Sequence, residues 1–434
     1  MANAIVGETR NKLEHMGRDR PLRILSVLGQ RPGFTGSGIL VQELWKCGAT
    51  RGDQQRLVCA GYPGDSWFEE FGSMYSLITF TKPEARGDLS FLLPGMSDVM
   101  PYVSARYRDL SAKQLEAFVT RYRRVVFQAI REFRPNLLHI HHLWALTGLW
   151  RVAKDLPCVV TLHGTDLKLA KTARKHRHLV ARNIDGIDHF FCVSKDMAAD
   201  AVEEYGICRE KMSALGNGYN PQIFSVHGPE RKIRGKIVLC AGKFVGWKGF
   251  HFAIRASAKV QSPHQLVILG TGTDQEFMSL KMQAAKCHAK VLFPGHVSPN
   301  EVAKWMRRAE VFVLPSVREP FGLVLLEAMA CGCRVVAGAS GGPKDIISPQ
   351  MLDLGFAHLI PPLSEETPGD QNRYVHDLAD AISFQLEKNK SEKVCATIAK
   401  SIAGMTWASV YERMRSKYLE FINSKDCGKL GLDL

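Results

Sequence analysis

The sequence predicts an α/β protein built from two Rossmann-like, doubly wound domains. In each half of the chain, short apolar strands alternate with stretches whose apolar residues recur at helical spacing. Each half opens with its own apolar strand, and a polar segment containing Gly and Pro, at residues 225–235, separates the halves. This alternation is typical of parallel sheets with helices on both faces, and 434 residues suit two such domains.

The first half begins after a polar lead-in, residues 1–20, which carries charges of both signs and no apolar block and therefore does not resemble a secretory signal. Its most regular element is a helix in which Ser111 and Gln114 fit a capping box and Pro135 marks the end. The predicted elements are a strand at 22–28, helices at 39–47 and 111–134, and strands at 137–141 and 158–162.

The second half restarts after the polar segment, which predicts domains at residues 21–228 and 229–406. Its predicted strands are 236–242, 265–269, 291–293, 311–314 and 334–337. A last helix is expected at 407–423, followed by a tail at 424–434. In doubly wound sheets, ligands bind beyond the carboxyl ends of the strands, so the loops after these strands are the candidate binding segments.

The charge is strongly basic and unevenly spread. The formal net charge is +14, and residues 101–182 hold 16 Lys and Arg against 5 Asp and Glu. Either these side chains form solvated helix faces, or the clusters within 121–182 attract an anionic membrane surface or an acidic acceptor. No nucleic-acid-binding motif accompanies the charge, so nucleic acid is not an expected partner.

The cysteines indicate a reducing compartment, and the hydropathy indicates a chain without a membrane-spanning segment. The eleven cysteines lie mostly in apolar runs and form no pair of CxxC knuckles, which predicts buried thiols and no zinc site. No apolar stretch is long enough to span a bilayer. We therefore expect a cytoplasmic protein, with the inner face of the membrane as a second expected location if the basic clusters bind lipid.

Two glycine-bearing turns follow the opening strands. Residues 33–38, which include Gly36 and Gly38, lie between a strand and a helix. This segment either binds a ligand phosphate at the start of the helix or is only a structural tight turn. The spacing is not that of the dinucleotide fingerprint, which argues against a nicotinamide dehydrogenase. In the second half, Gly242, Lys243 and Lys248 follow the strand; two lysines there suit a diphosphate, and a surface role is the alternative.

A segment with two carboxylates carries the most specific signal. Glu319 lies in the loop after a strand, Pro320 and Gly322 follow it, and Glu327 lies eight residues further on, in an apolar helix. Solvated glutamates would explain neither the apolar surroundings of Glu327 nor the strand-end position of Glu319. The two carboxylates therefore suit the hydroxyls of one polyol ligand.

These residues and others in the same order resemble retaining glycosyltransferases of the GT-B fold, glycosyltransferase family 4, with its E-x7-E motif. The segments that carry the resemblance are Glu319–Glu327 with Ala328-Met329-Ala330, His163-Gly164-Thr165-Asp166, Val193-Ser194, Asn217-Gly218-Tyr219-Asn220, Gly242-Lys243 with Lys248-Gly249, and Gly341-Gly342 with Asp345. The departures are Lys243, where arginine is usual, and Asn220 and Asp345, which replace the commoner acids. The resemblance implies two domains facing each other across a cleft, with the helix at 407–423 returning to the first.

The resemblance also implies the roles of site residues. A nucleotide-diphosphate sugar, with UDP as the expected nucleotide, would be the donor. No further cofactor or metal ion would be needed, because Lys243 and Lys248 would neutralise the departing diphosphate. Glu319 would orient the transferred hexose or N-acetylhexosamine, and His163 would face it; a purely structural role is the alternative for His163. The implied donor-binding residues are Gly36, Gly38, Gly242, Gly270, Phe321, Gly322, Leu323 and Glu327.

The acceptor is expected in the first domain. Asp98 and Arg106 lie in or near a loop outside the shared motifs, and with Asp166 they are the predicted acceptor-binding residues. These residues would either bind an acidic or aminated small molecule or only hold a loop that acts as a lid. Two alternatives stay open: a membrane-surface transferase acting on a lipid or envelope-polysaccharide precursor, and a catalytically idle binding module with the same fold.

Overall fold

The computed structural model describes residues 20–65, 71–81, 87–363 and 367–429, and the chain divides into two compact units. The first unit holds the described residues up to Val193, Met197–Leu215, and those from Val410 onward. The second holds Ser194–Asp196 and Gly216–Ser409. Most of the predicted lead-in, residues 1–19, lies outside the described residues.

The first unit is built on a seven-stranded parallel sheet with the order β3-β2-β1-β6-β7-β8-β9. Its strands are β1 (Arg23–Leu28), β2 (Gln54–Gly61), β3 (Tyr75–Thr79), the short pair β4 (Pro94–Gly95) and β5 (Ala105–Arg106), β6 (Leu137–His141), β7 (Cys158–Leu162), β8 (His189–Cys192) and β9 (Met212–Ala214). Its helices are α1 (Gly36–Arg51), α2 (Ala112–Phe133), α3 (Thr165–Thr172), α4 (Arg177–Ala181) and α5 (Lys195–Tyr205), with 3₁₀ turns at Tyr107–Asp109, Thr147–Val152, Arg174–His176 and Arg209–Lys211. The central strands are buried on both faces, as expected for a sheet covered by helices.

Helix α2 forms where the sequence predicts it, and for the predicted reason. Ser111 accepts a hydrogen bond from the amide of Gln114, whose side chain returns to the Ser111 amide, so both halves of the capping box are present. Leu115, Phe118 and Tyr122 bury one side of the helix. The helix ends at Phe133, because Arg134 adopts a left-handed conformation before Pro135.

The second unit repeats the doubly wound arrangement with the strand order β12-β11-β10-β13-β14-β15. Its strands are β10 (Lys236–Ala241), β11 (His264–Leu269), β12 (Val291–Gly295), β13 (Val311–Leu314), β14 (Arg334–Gly338) and β15 (Ala357–Ile360). Its helices are α6 (Phe250–Ser257), α7 (Asp274–Lys286), α8 (Pro299–Arg308), α9 (Leu323–Ala330), α10 (Pro343–Ile346), α11 (Pro349–Asp353), α12 (Pro368–Glu387) and α13 (Glu392–Ser401), with 3₁₀ turns at Gly246–Lys248 and Ala403–Met405. The prediction of α/β architecture with two doubly wound domains is confirmed.

The second unit begins at Gly216, earlier than the predicted boundary at 228/229. Tyr219 explains the difference, because its backbone exchanges hydrogen bonds with Met405 (3.1 Å) and Trp407 (3.2 Å). The Arg307 guanidinium then holds the next residues by donating to the carbonyl oxygens of Pro229 (2.8 Å) and Ser225 (3.3 Å). The polar segment therefore lies on the second unit.

The last helix, α14 (Trp407–Lys429), closes the first unit and extends beyond the predicted end at residue 423. Its anchor is Asp53, which is buried just before β2. The Asp53 carboxylate accepts hydrogen bonds from the Tyr411 hydroxyl (2.6 Å), the Arg415 guanidinium (2.8 Å) and the Leu22 amide (2.7 Å). Arg415 and Asp53 are both nearly inaccessible to water. The first unit is therefore completed by residues from the end of the chain.

Candidate functional site

The second unit brings several predicted donor residues together where its sheet changes direction. Strands β11 and β13 lie on opposite sides of β10, so the loops after β10 and β13 meet at the topological switch point, where ligands of doubly wound sheets bind. Gly242 (φ 148°) and Gly270 (φ 132°) open the loops after β10 and β11. A Cβ on Gly270 would collide with the carbonyl oxygen of Gly242, and one on Gly242 would meet the Lys248 side chain at 3.8 Å. Close packing therefore requires glycine at position 270, whereas at Gly242 the positive φ is what favours glycine.

Lys248 and Glu319 form a mostly buried ion pair at this switch point. The Lys248 ammonium donates to Glu319 Oε2 at 2.7 Å, and the side chains are 13% and 7% exposed. The Ser316 hydroxyl donates to the same oxygen at 2.8 Å. The other oxygen, Oε1, contacts no hydrogen-bond donor among the described residues. The pair therefore keeps one carboxylate oxygen available for a ligand hydroxyl.

The loop that carries the two lysines has a defined shape. Lys248 ends a 3₁₀ turn, and Gly249 then adopts a left-handed conformation (φ 69°) before α6 begins. The Lys248 ammonium lies 4.6 Å from the ring centre of Trp247, whose side chain is 42% exposed. Lys243 lies earlier in the same loop; burial lowers its pKa, and the nearby Glu276 carboxylate opposes this shift.

The Glu319 loop is fixed at both ends. The Glu319 carbonyl oxygen accepts from the Gly342 amide at 3.1 Å, so the loop is tied to the segment after β14. Phe321 is buried, and Gly322 caps α9 in a left-handed conformation (φ 99°), directly before Leu323. The helix thus starts with free backbone amides next to Glu319, a placement that suits a ligand bearing negative charge.

Glu327 lies on α9 in a largely apolar environment. Burial raises the pKa of its carboxyl group to about 8. Among the described residues, no side chain forms a hydrogen bond or ion pair with it. At neutral pH the group is therefore mostly protonated, so it presents one donor and one acceptor to a ligand hydroxyl.

This raised pKa predicts how stability depends on pH. A carboxyl group whose folded pKa exceeds its unfolded value binds more protons when folded, so it lowers the free energy of unfolding as pH rises from about 4.5 to 8. We expect Glu327→Gln to reduce this loss of stability. The variant should be more stable than the wild type by roughly 1–2 kcal/mol at pH 8.5, a figure that is reduced for the partial exposure of the side chain, and almost equally stable at pH 5. Urea unfolding at both pH values measures the difference. An equal effect at pH 5 and 8.5 would contradict the assignment.

In the first unit, His163 lies in the turn after β7. Its pKa is lowered well below the usual range, by burial first and then by neighbouring histidines, so the ring is neutral at pH 7. The Nε2 atom is buried without a hydrogen-bond partner among the described residues. A buried polar atom of this kind is costly unless a ligand or water meets it.

Asp166 shapes this turn from within. Its side chain is completely buried and accepts hydrogen bonds from the backbone amides of Leu143 (2.6 Å) and His163 (2.8 Å). Burial alone would raise its pKa, but His142, His163 and the amide lower it to about 2. In this structure the Asp166 carboxylate is engaged by the backbone of the turn, and its role in acceptor binding stays a prediction.

The other predicted residues of the first unit lie at its loops. Thr35 caps α1 by accepting from the Gly38 amide at 3.2 Å, and a Cβ on Gly38 would collide with the Gly33 amide. Gly36 faces open space. Asp98 pairs with Arg108 (3.2 Å) and Arg106 with Asp109 (2.6 Å), all partly exposed. The ion pairs neither support nor oppose a role of Asp98 and Arg106 in acceptor binding, which stays a prediction.

Two kinds of feature are not found in the described part of the chain. Within it, no group of three His, Cys, Asp or Glu side chains is arranged to hold a metal ion. His139, on β6, forms hydrogen bonds with the Tyr418 hydroxyl (2.8 Å) and the Thr161 hydroxyl (2.7 Å). No helix among the described residues is long and apolar enough to cross a bilayer.

Comparison with known proteins agrees with this geometry. The family model described as "Glycosyltransferase Family 4" matches residues 34–223, and "Glycosyl transferases group 1" matches residues 227–359. Sucrose-phosphate synthase from Thermosynechococcus elongatus superposes with a TM-score of 0.68 at 18% identity, over 93% of this chain and 100% of that one. The chain has the GT-B glycosyltransferase fold. HepE of Anabaena, solved with UDP and glucose, is a second GT-B neighbour, with a TM-score of 0.64 and 17% identity over 91% of this chain and 99% of that one.

Sequence relatives are named as glycosyltransferases too. N-acetyl-alpha-D-glucosaminyl L-malate synthase of Bacillus anthracis is 24% identical over 92% of this chain and 97% of its own length. Other matches are confined to part of the molecule: the chain spans about half the length, 43–58%, of several curated relatives, which include a glycogen synthase of Mycobacterium tuberculosis. The GT-B fold thus extends over both units, whereas several of the sequence matches cover only part of the chain.

Proposed function

We propose that this chain is a retaining, metal-independent glycosyltransferase that moves a sugar from a nucleotide-diphosphate sugar to a polar acceptor. The observation that carries the proposal is the buried Lys248–Glu319 pair at the switch point of the second unit, next to the turns at Gly242 and Gly270. A cation, a carboxylate and closely packed backbone in one place suit a sugar joined to a diphosphate. Support for UDP as the nucleotide comes from the GT-B neighbour HepE, which binds UDP and glucose.

In this proposal each group has a distinct task. Lys248 and Lys243 stabilise negative charge that grows on the diphosphate as the sugar departs. Glu319 holds the transferred sugar through its second carboxylate oxygen, while Ser316 and Lys248 fix its first. Glu327 binds the ribose hydroxyls, and we assign a catalytic role to His163, which is neutral and unpartnered at Nε2, because of its resemblance to the family histidine. The bond between the anomeric carbon and the diphosphate oxygen breaks, and its electron pair goes to that leaving oxygen. The acceptor oxygen bonds to the same carbon with retention, and the acceptor's hydroxyl proton passes to the leaving diphosphate.

The acceptor that we propose is an acidic or aminated small molecule. The basic balance of residues 101–182 favours a negatively charged acceptor. The name of the B. anthracis relative, which includes L-malate, is consistent with such a substrate.

Ligand binding and mass spectrometry test the proposal. UDP at about 100 times its dissociation constant should stabilise the protein by about 2.7 kcal/mol, whereas NAD should not. Incubation with UDP-sugars and a panel of carboxylate, phosphate and amine acceptors should then give a product heavier by one sugar. Binding of UDP without any transfer would favour the idle binding module, and stabilisation by NAD alone would favour a dehydrogenase.

Metal independence gives a separate prediction. Because two lysines supply the positive charge, transfer should keep at least about half its rate in excess EDTA, since no ion is needed to offset the leaving charge. The measurement is the initial rate with and without chelator, followed by added Mn²⁺ or Mg²⁺. Loss of activity that either ion restores would contradict this part of the proposal.

One exposed surface of the first unit supports the alternative of a transferase that acts at a membrane surface. On α2, Phe127 is 50% exposed, and the neighbouring Arg123, Arg124, Arg131 and Arg134 are exposed around it. Arg121, by contrast, is engaged by Asp88 at 2.6 Å. An aromatic side chain among arginines is typical of helices that lie on anionic lipid. We propose that this face docks on such a surface.

Vesicle sedimentation tests the docking surface. Vesicles rich in phosphatidylglycerol should bind the protein at low salt, and Arg124→Glu with Phe127→Ser should weaken binding at least tenfold, at about 1 kcal/mol per basic residue. Lys393→Glu changes an exposed lysine on the second unit and serves as the matched control. No binding at low salt, or equal loss in the control, would overturn the proposal.

A further inference from the structure

The first unit has its own switch point, and two buried side chains meet there that the proposed chemistry does not use. Strands β2 and β6 flank β1, with Leu28 opposite His141, so the loops after β1 and β6 are neighbours. Gln30 follows β1 and His142 follows β6; they are 1% and 3% exposed. The Gln30 amide nitrogen lies 3.3 Å from Nε2 of His142.

The contacts of these two side chains assign the proton of His142. The Asp166 carboxylate can only accept, so the Nδ1 atom of His142 that faces its Oδ2 carries a ring proton, and Nε2 lies toward the Gln30 carboxamide. Nδ1 lies 3.3 Å from Oδ2 of Asp166, which is the acceptor that this tautomer requires. His142 is thus held from both sides, by Gln30 and by Asp166.

The same contacts connect two loops of the unit. At one end, the Gln30 amide contacts the hydroxyls of Thr35 (2.9 Å) and Ser37, at the start of α1. At the other end, Asp166 accepts from the His163 amide, and the ring centres of His142 and His163 are 4.5 Å apart. A continuous chain of contacts therefore runs from the glycine-bearing loop at residues 33–38 to the His163 turn.

The backbone of His142 adopts an unfavourable conformation, which indicates that the surrounding structure constrains it. Its φ of +75° lies in the left-handed region, which residues other than glycine rarely adopt. Such conformations persist only where the surroundings fix them, and they concentrate at functional sites. Here the fixing groups are Gln30 and Asp166.

We propose that His142 and Gln30 are positioning residues, which hold the imidazole of His163 in place and couple it to the loop at the start of α1. The inference rests on the proposed function, in which His163 has a catalytic role. His142 does not touch the reacting atoms; it acts through packing against His163 and through the shared Asp166 carboxylate.

Three variants test separate links in this series of side-chain contacts. His142→Phe removes both polar contacts and should lower kcat about 10- to 100-fold, as misplacement by about an ångström does, with KM for the nucleotide sugar changed less than about threefold. His142→Asn retains a donor near Asp166 and tolerates the left-handed backbone, so it should recover most of the loss. Gln30→Leu should resemble His142→Phe, and the double variant should be no worse than either, because the residues act as one unit.

His189→Asn is the matched control. His189 is equally buried in the same sheet, but it binds Ser213 (2.8 Å) away from this chain of contacts. It should leave kcat within about twofold of the wild type. If His142→Phe fails to fold, His142→Asn and Gln30→Leu carry the kinetic test.

Imidazole ¹⁵N spectra give a readout that does not depend on activity. They should show His142 as the Nδ1–H tautomer at pH 7, and the His163 signals should shift in Gln30→Leu but not in His189→Asn. The opposite tautomer, or unmoved His163 signals with unchanged kcat, would overturn the inference and leave the proposed function standing. Absence of transfer by the wild type, with the expected spectra, would instead remove the proposed function and retain the structural coupling.

Discussion

Replacing Glu319 by Gln should lower the rate of sugar transfer by about 10²–10³, the cost usually measured when one preorganised electrostatic group is removed from an active site. Glutamine keeps the size of the side chain and its contact with Ser316, but it loses the charge that pairs with Lys248. Lys248→Met should cost as much or more, because it removes a cation from the diphosphate. Initial rates at saturating donor and acceptor measure both effects.

The conservative variants matter because the pair is buried. Lys248→Ala would leave Glu319 as an uncompensated charge, and breaking a buried pair costs about 3–5 kcal/mol of stability. Loss of activity in that variant would then be ambiguous. The double variant Lys248→Met with Glu319→Gln removes both charges and should fold well while staying inactive. Near-full activity in either single conservative variant would remove Lys248 and Glu319 from the mechanism.

Asp53→Ala should be the most destabilising substitution in the first unit, with a loss of about 3–5 kcal/mol in its free energy of unfolding. The change leaves the Arg415 guanidinium buried without its carboxylate and takes an acceptor from Tyr411 and from the Leu22 amide. Urea unfolding followed by circular dichroism measures the loss.

Glu420→Ala is the control for this prediction. Glu420 lies on the same helix and pairs with Lys417 at 2.7 Å, but both are exposed, so its removal should cost no more than about 0.5–1 kcal/mol. Similar losses in the two variants would mean that the Asp53 contacts do not hold α14 to the sheet.

Sequence patterns predict most of the buried strands and one edge strand, β12, but miss the other edge strands of the two main sheets. Strands such as β1, β6, β10 and β13 are continuous apolar runs, which a sheet covered on both faces requires. The edge strands β3, β9 and β15 keep side chains partly exposed, so their runs are broken and no pattern names them. The interior strands β2 and β8 are missed as well, since one opens with polar residues and the other has only four.

For the candidate site, the sequence predicts residues near a strand end but not their partners. Lys248 and Glu319 each follow a strand, and the structure joins them across 71 positions. Gln30 and His142 are 112 positions apart, and no local pattern predicts their contact, because it depends on β6 pairing with β1. Asp166 lies in a turn that the sequence singles out, but its hydrogen bonds with the backbone amides of Leu143 and His163 could not be predicted from that turn alone.

Because α14 follows every described strand of both sheets in the sequence, the order of synthesis sets the order in which the units are completed. The second unit ends at Ser409 and has all its described strands before α14 is translated. The first unit, although begun earlier, keeps Asp53 without Tyr411 and Arg415 until these two residues leave the ribosome. We expect a nascent chain stalled before residue 410 to carry a protease-resistant second unit behind a protease-sensitive first one, the reverse of the N-terminal-first order usual for multidomain proteins.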